Sequence, residues 1–325
     1  MKSVKVRLLC LVVMVLFVIP SASAADRKAA NPELAKIVTE DLVPVKIDKV
    51  GSYTVNFELI MNYAVMCQMM NYNPDAELQG IYRNIRFIDL PKYKNRMMII
   101  DDAGFDENNQ GIQTIVFRGS GHPRNFLVDL NFRPSRSDKL KCRIHRGFLK
   151  SVSEIDAIAT GLLDKKRKVR IAGSSLGGAL AVVYGMFLKK QGFDIDLIIT
   201  FGQPRVTDKK GRAIWGGLPL VRVVNRTDAF PAIPPYQPFG YAHFGRMILL
   251  HDDYYYSIYD EKIVEKLKPE GKVANFVYKV KNKDISIPNH FINLVAARLE
   301  LYVKRKPIYW LYNLGILPED ADKGE

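Results

Sequence analysis

Cysteine is scarce in this chain: Cys10, Cys67 and Cys142 are the only three in 325 residues. Cys10 lies inside an apolar run, not just after a small residue at its end, so it is not read as a lipid-attachment cysteine. Cys67 and Cys142 permit one disulfide in an oxidising compartment and require none. No segment after residue 24 is apolar for long enough to cross a bilayer. There is no internal repeat and no low-complexity linker, which favours one domain. Acidic residues are few, 34 against 48 Lys and Arg, giving a formal charge of +14. Clustered basic charge favours anionic surfaces, nucleic acid or phospholipid headgroups. No nucleic-acid-binding motif accompanies the charge, so a nucleic-acid partner is not expected. Histidine is sparse as well, with five in the chain.

What is present begins with an export-like N-terminus. Lys2, Lys5 and Arg7 precede an apolar run from Leu8 to Pro20, and Ala22-Ser23-Ala24 closes it. A basic end, a short apolar core and A-x-A describe a secretory signal peptide. Cleavage after Ala24 is expected, leaving residues 25–325 as a single secreted or periplasmic domain; an uncleaved anchor is the alternative. The rest is 48% hydrophobic and 25% charged over the whole chain, an ordinary globular balance. Basic residues gather in two groups, Arg133 to Arg146 and Lys165 to Arg170. Within the second, "DKKRK" (164–168), just before a strand, reads as a solvated loop.

Strand and helix signals alternate. "YTVNFELIMNYAVMCQMMNY" (53–72) suits a buried helix. "IRFIDL", "RMMIID" and "QTIVFRG" suit strands, with hairpin turn chemistry in "DAGFDENNQG" between the last two. In "GFLKSVSEIDAIATGLLDK", Phe148, Val152, Ile155, Ile158 and Leu162 suggest one helix face. "KVRIAG", "DIDLIITFG", "LVRVVN" and "GRMILLHD" read as further strands, and "LGGALAVVYGMFLKKQG" as a helix stopped at Gly192. The pattern predicts an α/β fold whose sheet is mostly parallel in its middle.

Gly173, Ser175 and Gly177 spell G-x-S-x-G. By chance the motif arises in about one chain in ten of this length, so it needs its context. The context is met: a strand runs in and a helix runs out. A serine hydroxyl needs a base and a group that orients the base. Gly173 and Gly177 leave out side chains that would collide in a tight turn. The helix N-terminus aims N–H groups at a developing oxyanion, with Leu176 N–H as one donor. Ser120, at the end of "VFRGS", is either a second donor or an ordinary strand-end turn.

For this chemistry the order is serine, acid, histidine. Asp228 follows a strand and precedes a Pro-rich loop, where a sheet presents catalytic groups. Asp252 and Asp253 compete from within or beside a strand. His122 and His145 come too early. His290, before an amphipathic helix, is preferred by pattern over His243; His251 ends a strand.

In combination these segments resemble the class 3 lipases, the fungal-type triacylglycerol lipases and their bacterial and plant relatives. "IVFRGSGHPRNFLVDLNF" is similar to the family's oxyanion strand and lid, and "IHRGFLKSVSEI" to its H-x-G-F segment. "GSSLGGALA" resembles its serine turn; "ITFGQPRV", "VRVVNRTDAFPAIPP" and "FGYAHFGRMILL" its run past the acid; and "NHFINL" its histidine segment. The likeness covers roughly residues 53 to 300. It implies an α/β-hydrolase fold and a Ser175–Asp228–His290 triad, with Ser120 and Leu176 as oxyanion donors. It also implies His243 as a structural position and no metal or organic cofactor. Phe126, Leu127 and Leu130 fall on its lid, which suits a lipid–water interface.

The chain departs from the family at Ser174, where a His is usual, and at Phe126, where a Trp is usual. Cys67 and Cys142 lack the family's usual disulfide partners. Residues 252–285 match poorly and read as an insertion. The expected activity is hydrolysis of lipid carboxylic esters, most of all triacylglycerol, with anionic membrane as a candidate surface. A phospholipase A1, a short-chain or aromatic esterase, and a non-catalytic binding protein are the alternatives.

Overall fold

The β-branched runs between residues 113 and 250 do become the parallel interior of one large sheet. The structure, a computed structural model, describes residues 55–70, 84–90, 95–101, 111–120, 132–225, 228, 230–234, 236–250, 255–259, 292, 295, 296, 298, 299, 308 and 309. Helix α1 (Phe57–Met69) comes first, its N-terminus capped by Asn56, whose side chain accepts the Leu59 N–H at 2.9 Å. Strands β1 (Ile85–Leu90), β2 (Asn95–Ile100) and β3 (Gln113–Phe117) pair antiparallel in sequence. The turn expected between β2 and β3 falls on residues 102–110, outside the described residues.

Two short strands follow, β4 (Pro134–Ser137) and β5 (Cys142–His145), then α2 (Arg146–Ala159) and a 3₁₀ turn (Thr160–Leu162). Next come β6 (Val169–Ser174), α3 (Leu176–Lys190), β7 (Ile195–Phe201), β8 (Thr207–Asp208) and α4 (Lys209–Trp215). After β9 (Leu220–Asn225) lie a 3₁₀ turn (Phe230–Ala232), α5 (Tyr236–Phe239), β10 (Tyr241–Ala242), β11 (Arg246–Leu250), β12 (Tyr255–Tyr259) and β13 (Ile308–Tyr309).

Among the described residues the main sheet runs β1-β2-β3-β6-β7-β9-β11-β12-β13. β3, β6, β7, β9 and β11 are mutually parallel. A smaller sheet runs β10-β8-β5-β4. This is an α/β-hydrolase architecture, with helices against a mostly parallel central sheet. β12 uses part of the 252–285 stretch to extend the sheet antiparallel to β11.

Alternate residues of each central strand face opposite layers, as the pleat requires. Ile115, Phe117, Ile171 and Ile198 pack under α2 and α3; Val116, Ala172, Ile199 and Val223 pack against α1 and helical residues Ile292, Val295 and Leu299. Cys142 belongs to the first layer and Cys67 to the second, and both are free thiols. Sheet and helix layers stack about 10 Å apart, so the two sulfurs have no route to pair across the sheet. Burial pushes both thiols above their ordinary pKa.

One sequence expectation needs correction. Ile158 and Leu162 do not join the buried face of α2; they are 52% and 41% exposed. The buried apolar set is Phe148, Val152, Ile155 and Ala159, with Ser151 beside them. Spacings of four, three and four keep a 3.6-residue helix facing one way, whereas Ile158 has rotated off that stripe. The run before β6 is a loop, as expected, exposed at Asp164, Lys165 and Lys166 but only half-exposed at Arg167 and Lys168. Arg167 Nε donates to Gly111 O at 2.6 Å, and Arg170, inside β6, pairs with Asp196 on β7.

Candidate active site

Ser175 occupies the whole junction between β6 and α3: the strand ends at Ser174 and the helix starts at Leu176. Its φ of 54° and ψ of −121° lie where non-glycine residues are rare. Such a conformation costs roughly 1–3 kcal/mol and survives only where the surroundings impose it. Here the Ser175 N–H donates to Phe201 O at 2.8 Å, at the end of β7. The Ser175 carbonyl accepts from Ala179 N at 3.2 Å, the first bond of α3.

The flanking glycines are required by contact. A Cβ on Gly173 would fall 2.3 Å from Gly177 O, and one on Gly177 would fall 2.5 Å from Phe117 O. The helix can therefore lie directly on the ends of β3 and β6. β3 and β6 are neighbours, with Phe117 opposite Gly173. The chain leaving β3 passes close to the turn: a Cβ on Gly119 would lie 3.2 Å from Ser174 O. Half-buried Ser120 is thus brought to the same end of the sheet as Ser175 and Leu176. The N–H groups of Leu176, Gly177 and Gly178 precede the first intrahelical bond, at the positive end of the α3 dipole.

Asp228 overhangs the same carboxyl edge. It follows β9, which pairs with β7 through Phe201 and Val223. The Asp228 N–H donates to Asn225 O at 3.0 Å, and its Oδ1 accepts from Phe230 N at 2.9 Å. That local bond fixes the carboxylate in an Asx turn. Asn225 Oδ1 accepts from Arg298 Nη1 at 3.1 Å, which ties the helical residues after position 290 to the end of β9. His290, Phe126, Leu127 and Leu130 lie outside the described residues, as do His122, His251, Asp252 and Asp253.

The two described histidines are both engaged elsewhere. His243 Nε2 donates to Pro231 O at 2.7 Å. Desolvation, then the Arg222 and Arg205 charges, pull its pKa well below the ordinary value, so it is neutral. His145 closes β5 and caps α2, its Nδ1 accepting the Phe148 N–H at 3.4 Å. Burial lowers its pKa to about 4.

A parallel sheet with a strained serine at a strand–helix junction, and an acid two strands along, sets the comparison with known proteins. Residues 114–237 match the family described as lipase (class 3). Over these residues the chain is similar to the class 3 lipases. A lipase of Rhizomucor miehei is 36% identical over 152 residues, 43% of this chain and 42% of that protein. Secreted mono- and diacylglycerol lipase 1 of Fusarium solani is 33% identical over 145 residues, 40% of this chain and 41% of that protein. The chain thus spans about four tenths of the length of these relatives. The solved structure of lipase II from Rhizopus niveus superposes with a TM-score of 0.53 at 22% identity, covering 61% of this chain and 82% of that one, and it shares the fold.

Within residues 114–237 the structure also reveals residues whose roles the sequence had not suggested. Buried Gln203 accepts from Thr200 Oγ1 at 3.0 Å and donates to Pro204 O at 3.0 Å. A Cβ on Gly178 would lie 3.2 Å from its Cβ, so Gln203 braces the start of α3. Arg205, two residues on, is half-buried and reaches the loop after Asp228. The signal was a charged residue inside the compact motif "FGQPRV", bracketed by apolar runs. Ser174, where the family usually carries His, is 4% exposed beneath the Gly119 turn.

Proposed function

We propose that the protein is a secreted serine hydrolase that cleaves carboxylic esters of lipids, with triacylglycerol as the first substrate class. His290 takes the Ser175 proton as the serine oxygen attacks the ester carbonyl. Asp228 holds the imidazole tautomer and stabilises the imidazolium. The N–H groups of Leu176 and Ser120 bind the oxyanion, each donor contributing on the order of 100-fold in turnover. His290 returns the proton to the leaving alcohol, then activates water, which releases the fatty acid and frees Ser175. Phe126, Leu127 and Leu130 form the apolar surface that meets the lipid–water interface. Residues 1–24 direct export, and residues 25–325 form one domain.

The observation that carries this reading is the Ser175 backbone, held at φ 54° between β6 and α3 with Gly119 against Ser174. Strain of this kind at a sheet's carboxyl edge clusters where chemistry is done. The likeness of residues 114–237 to the class 3 lipases supports the same reading. The test is fatty-acid release from triacylglycerol emulsions by the purified protein and by Ser175→Ala. Release that survives in the variant would sink the reading.

A second specificity is favoured by the β4–β5 hairpin. Arg136 and Arg143 stand directly opposite each other across it, and both are exposed, as are Lys141 and Arg146. Like charges in cross-strand register oppose folding; Asp138 pairs with Arg136 at 3.3 Å in an exposed, screened contact, and an anionic surface would add to that relief. Phospholipase A1 action on anionic bilayers is the reading this supports. Vesicles of graded anionic content, assayed at low and high salt, separate it from triacylglycerol preference.

A further inference from the structure

The loop after Asp228 presents four consecutive backbone carbonyls, and each meets a donor from half-buried Arg205 or His243. Pro231 O accepts from His243 Nε2 at 2.7 Å. Ala232 O accepts from the Arg205 guanidinium. Ile233 O accepts from the Arg205 backbone N–H at 2.7 Å. Pro234 O accepts from Arg205 Nη1 at 3.0 Å. Arg205 thus supplies three of the four bonds.

Arg205 is an unlikely choice for packing alone. Drawing a guanidinium partly out of water among neutral acceptors carries a desolvation penalty that an apolar residue would avoid. Burial indeed lowers its pKa to about 10. What the guanidinium offers in exchange is one nitrogen, Nη1, whose two N–H groups are fixed in a rigid plane and aimed at Ala232 O and Pro234 O, a direction that the freely rotating ammonium of a lysine does not hold. Its position matters too. Arg205 lies four residues after Phe201, whose carbonyl holds the Ser175 N–H. Between them, the Gly202 N–H donates to Val223 O on β9 at 3.0 Å. At the other end, Phe230 N donates to Asp228 Oδ1. Residues 201–205 therefore touch both the serine turn and the loop that aims the acid.

We infer that Arg205 is a positioning residue: it clamps residues 232–234 and so sets the direction of the Asp228 carboxylate relative to Ser175. The inference rests on the serine-hydrolase reading above.

The experiment compares the purified protein with Arg205→Lys and Arg205→Met on a soluble short-chain ester, alongside labelling of Ser175 by a serine-directed phosphonate. A wild-type protein that neither hydrolyses nor labels overturns the hydrolase reading and the inference with it. With an active wild type, folded Arg205→Lys should lose about 100-fold in kcat, as an ångström-scale misplacement does, with KM within about twofold. The acid limb of kcat/KM should also move to lower pH, because a carboxylate turned away no longer raises the imidazole pKa. Arg205→Met should show both effects more strongly; should it not fold, Arg205→Lys decides. The inference alone is overturned if Arg205→Lys keeps the wild-type kcat and acid limb. It is also overturned if kcat falls only in proportion to lost folded protein with the acid limb unmoved, or if Arg205→Lys does not fold. Each of those outcomes would make the residue structural for the domain.

Discussion

Around Ser175 the chain is held by main-chain hydrogen bonds and by the absence of side chains at Gly173 and Gly177. The loop after Asp228 is held mainly by two half-buried polar side chains, Arg205 and His243, with one bond from the Arg205 backbone N–H. Both arrangements fix a backbone segment at the carboxyl edge of the sheet. The first tolerates no added volume and is indifferent to charge. The second depends on desolvated hydrogen bonds, and so on the protonation and shape of its donors. Rigidity at one edge can thus rest on steric exclusion in one place and on polar capture a few strands away.

The largest effect expected is chemical. Ser175→Ala should lower ester hydrolysis on the order of 10⁶-fold with folding unchanged, read by initial rates beside a circular dichroism melt. Gly173→Ala tests the steric side. Its Cβ would meet Gly177 O at 2.3 Å and Gly178 N at 2.7 Å, both backbone atoms that cannot swing away. The variant should lose about 3 kcal/mol in a urea titration and lose activity with it. A wild-type midpoint would break the comparison, because the turn would then have room.

Acid should act on the polar side. His243 and His145 both have pKa values pulled below the ordinary histidine value, chiefly by burial. The folded state therefore excludes the charged imidazole. Stability is fully present above the unfolded pKa near 6.5 and is lost as pH falls toward about 4, the folded value for His145. For His145 this amounts to about 3 kcal/mol at the acid end. Urea midpoints between pH 7 and pH 4 would show it. His145→Asn keeps an acceptor at the α2 cap and should flatten the dependence. An unchanged slope in that variant would remove His145 from the account.

The smallest effect on stability is expected far from both regions. Arg143→Glu on the exposed hairpin should change stability by no more than about 0.5 kcal/mol. It should weaken binding to anionic vesicles about tenfold, an effect that salt abolishes, while leaving neutral emulsions alone. Equal losses on both substrates would remove the hairpin from lipid recognition.

Much of this was legible in the chain. The alternation of β-branched runs and apolar helices predicted the parallel sheet, because strand and helix periods are local properties of the side chains. The serine turn was legible for the same reason: glycine, serine and glycine within five residues carry their own steric logic. The exposure of Ile158 was less legible, since apolar identity alone does not say which stripe of a helix meets the sheet. The clamp on the acid loop was not legible. Arg205 precedes the carbonyls it binds by 27 and 29 residues, and His243 follows its partner by 12. The fate of the cysteines was equally hidden until the sheet placed Cys67 and Cys142 on opposite layers.

By itself, then, the sequence determined which segments become strands and helices and where a strained serine must sit, because those follow from periodicity and from volume within a few residues. The tertiary structure decided which polar groups meet, since pairing Arg205 and His243 with the loop after Asp228 requires β7, β9 and β11 to lie side by side first. Only that juxtaposition removes the water that would otherwise satisfy them.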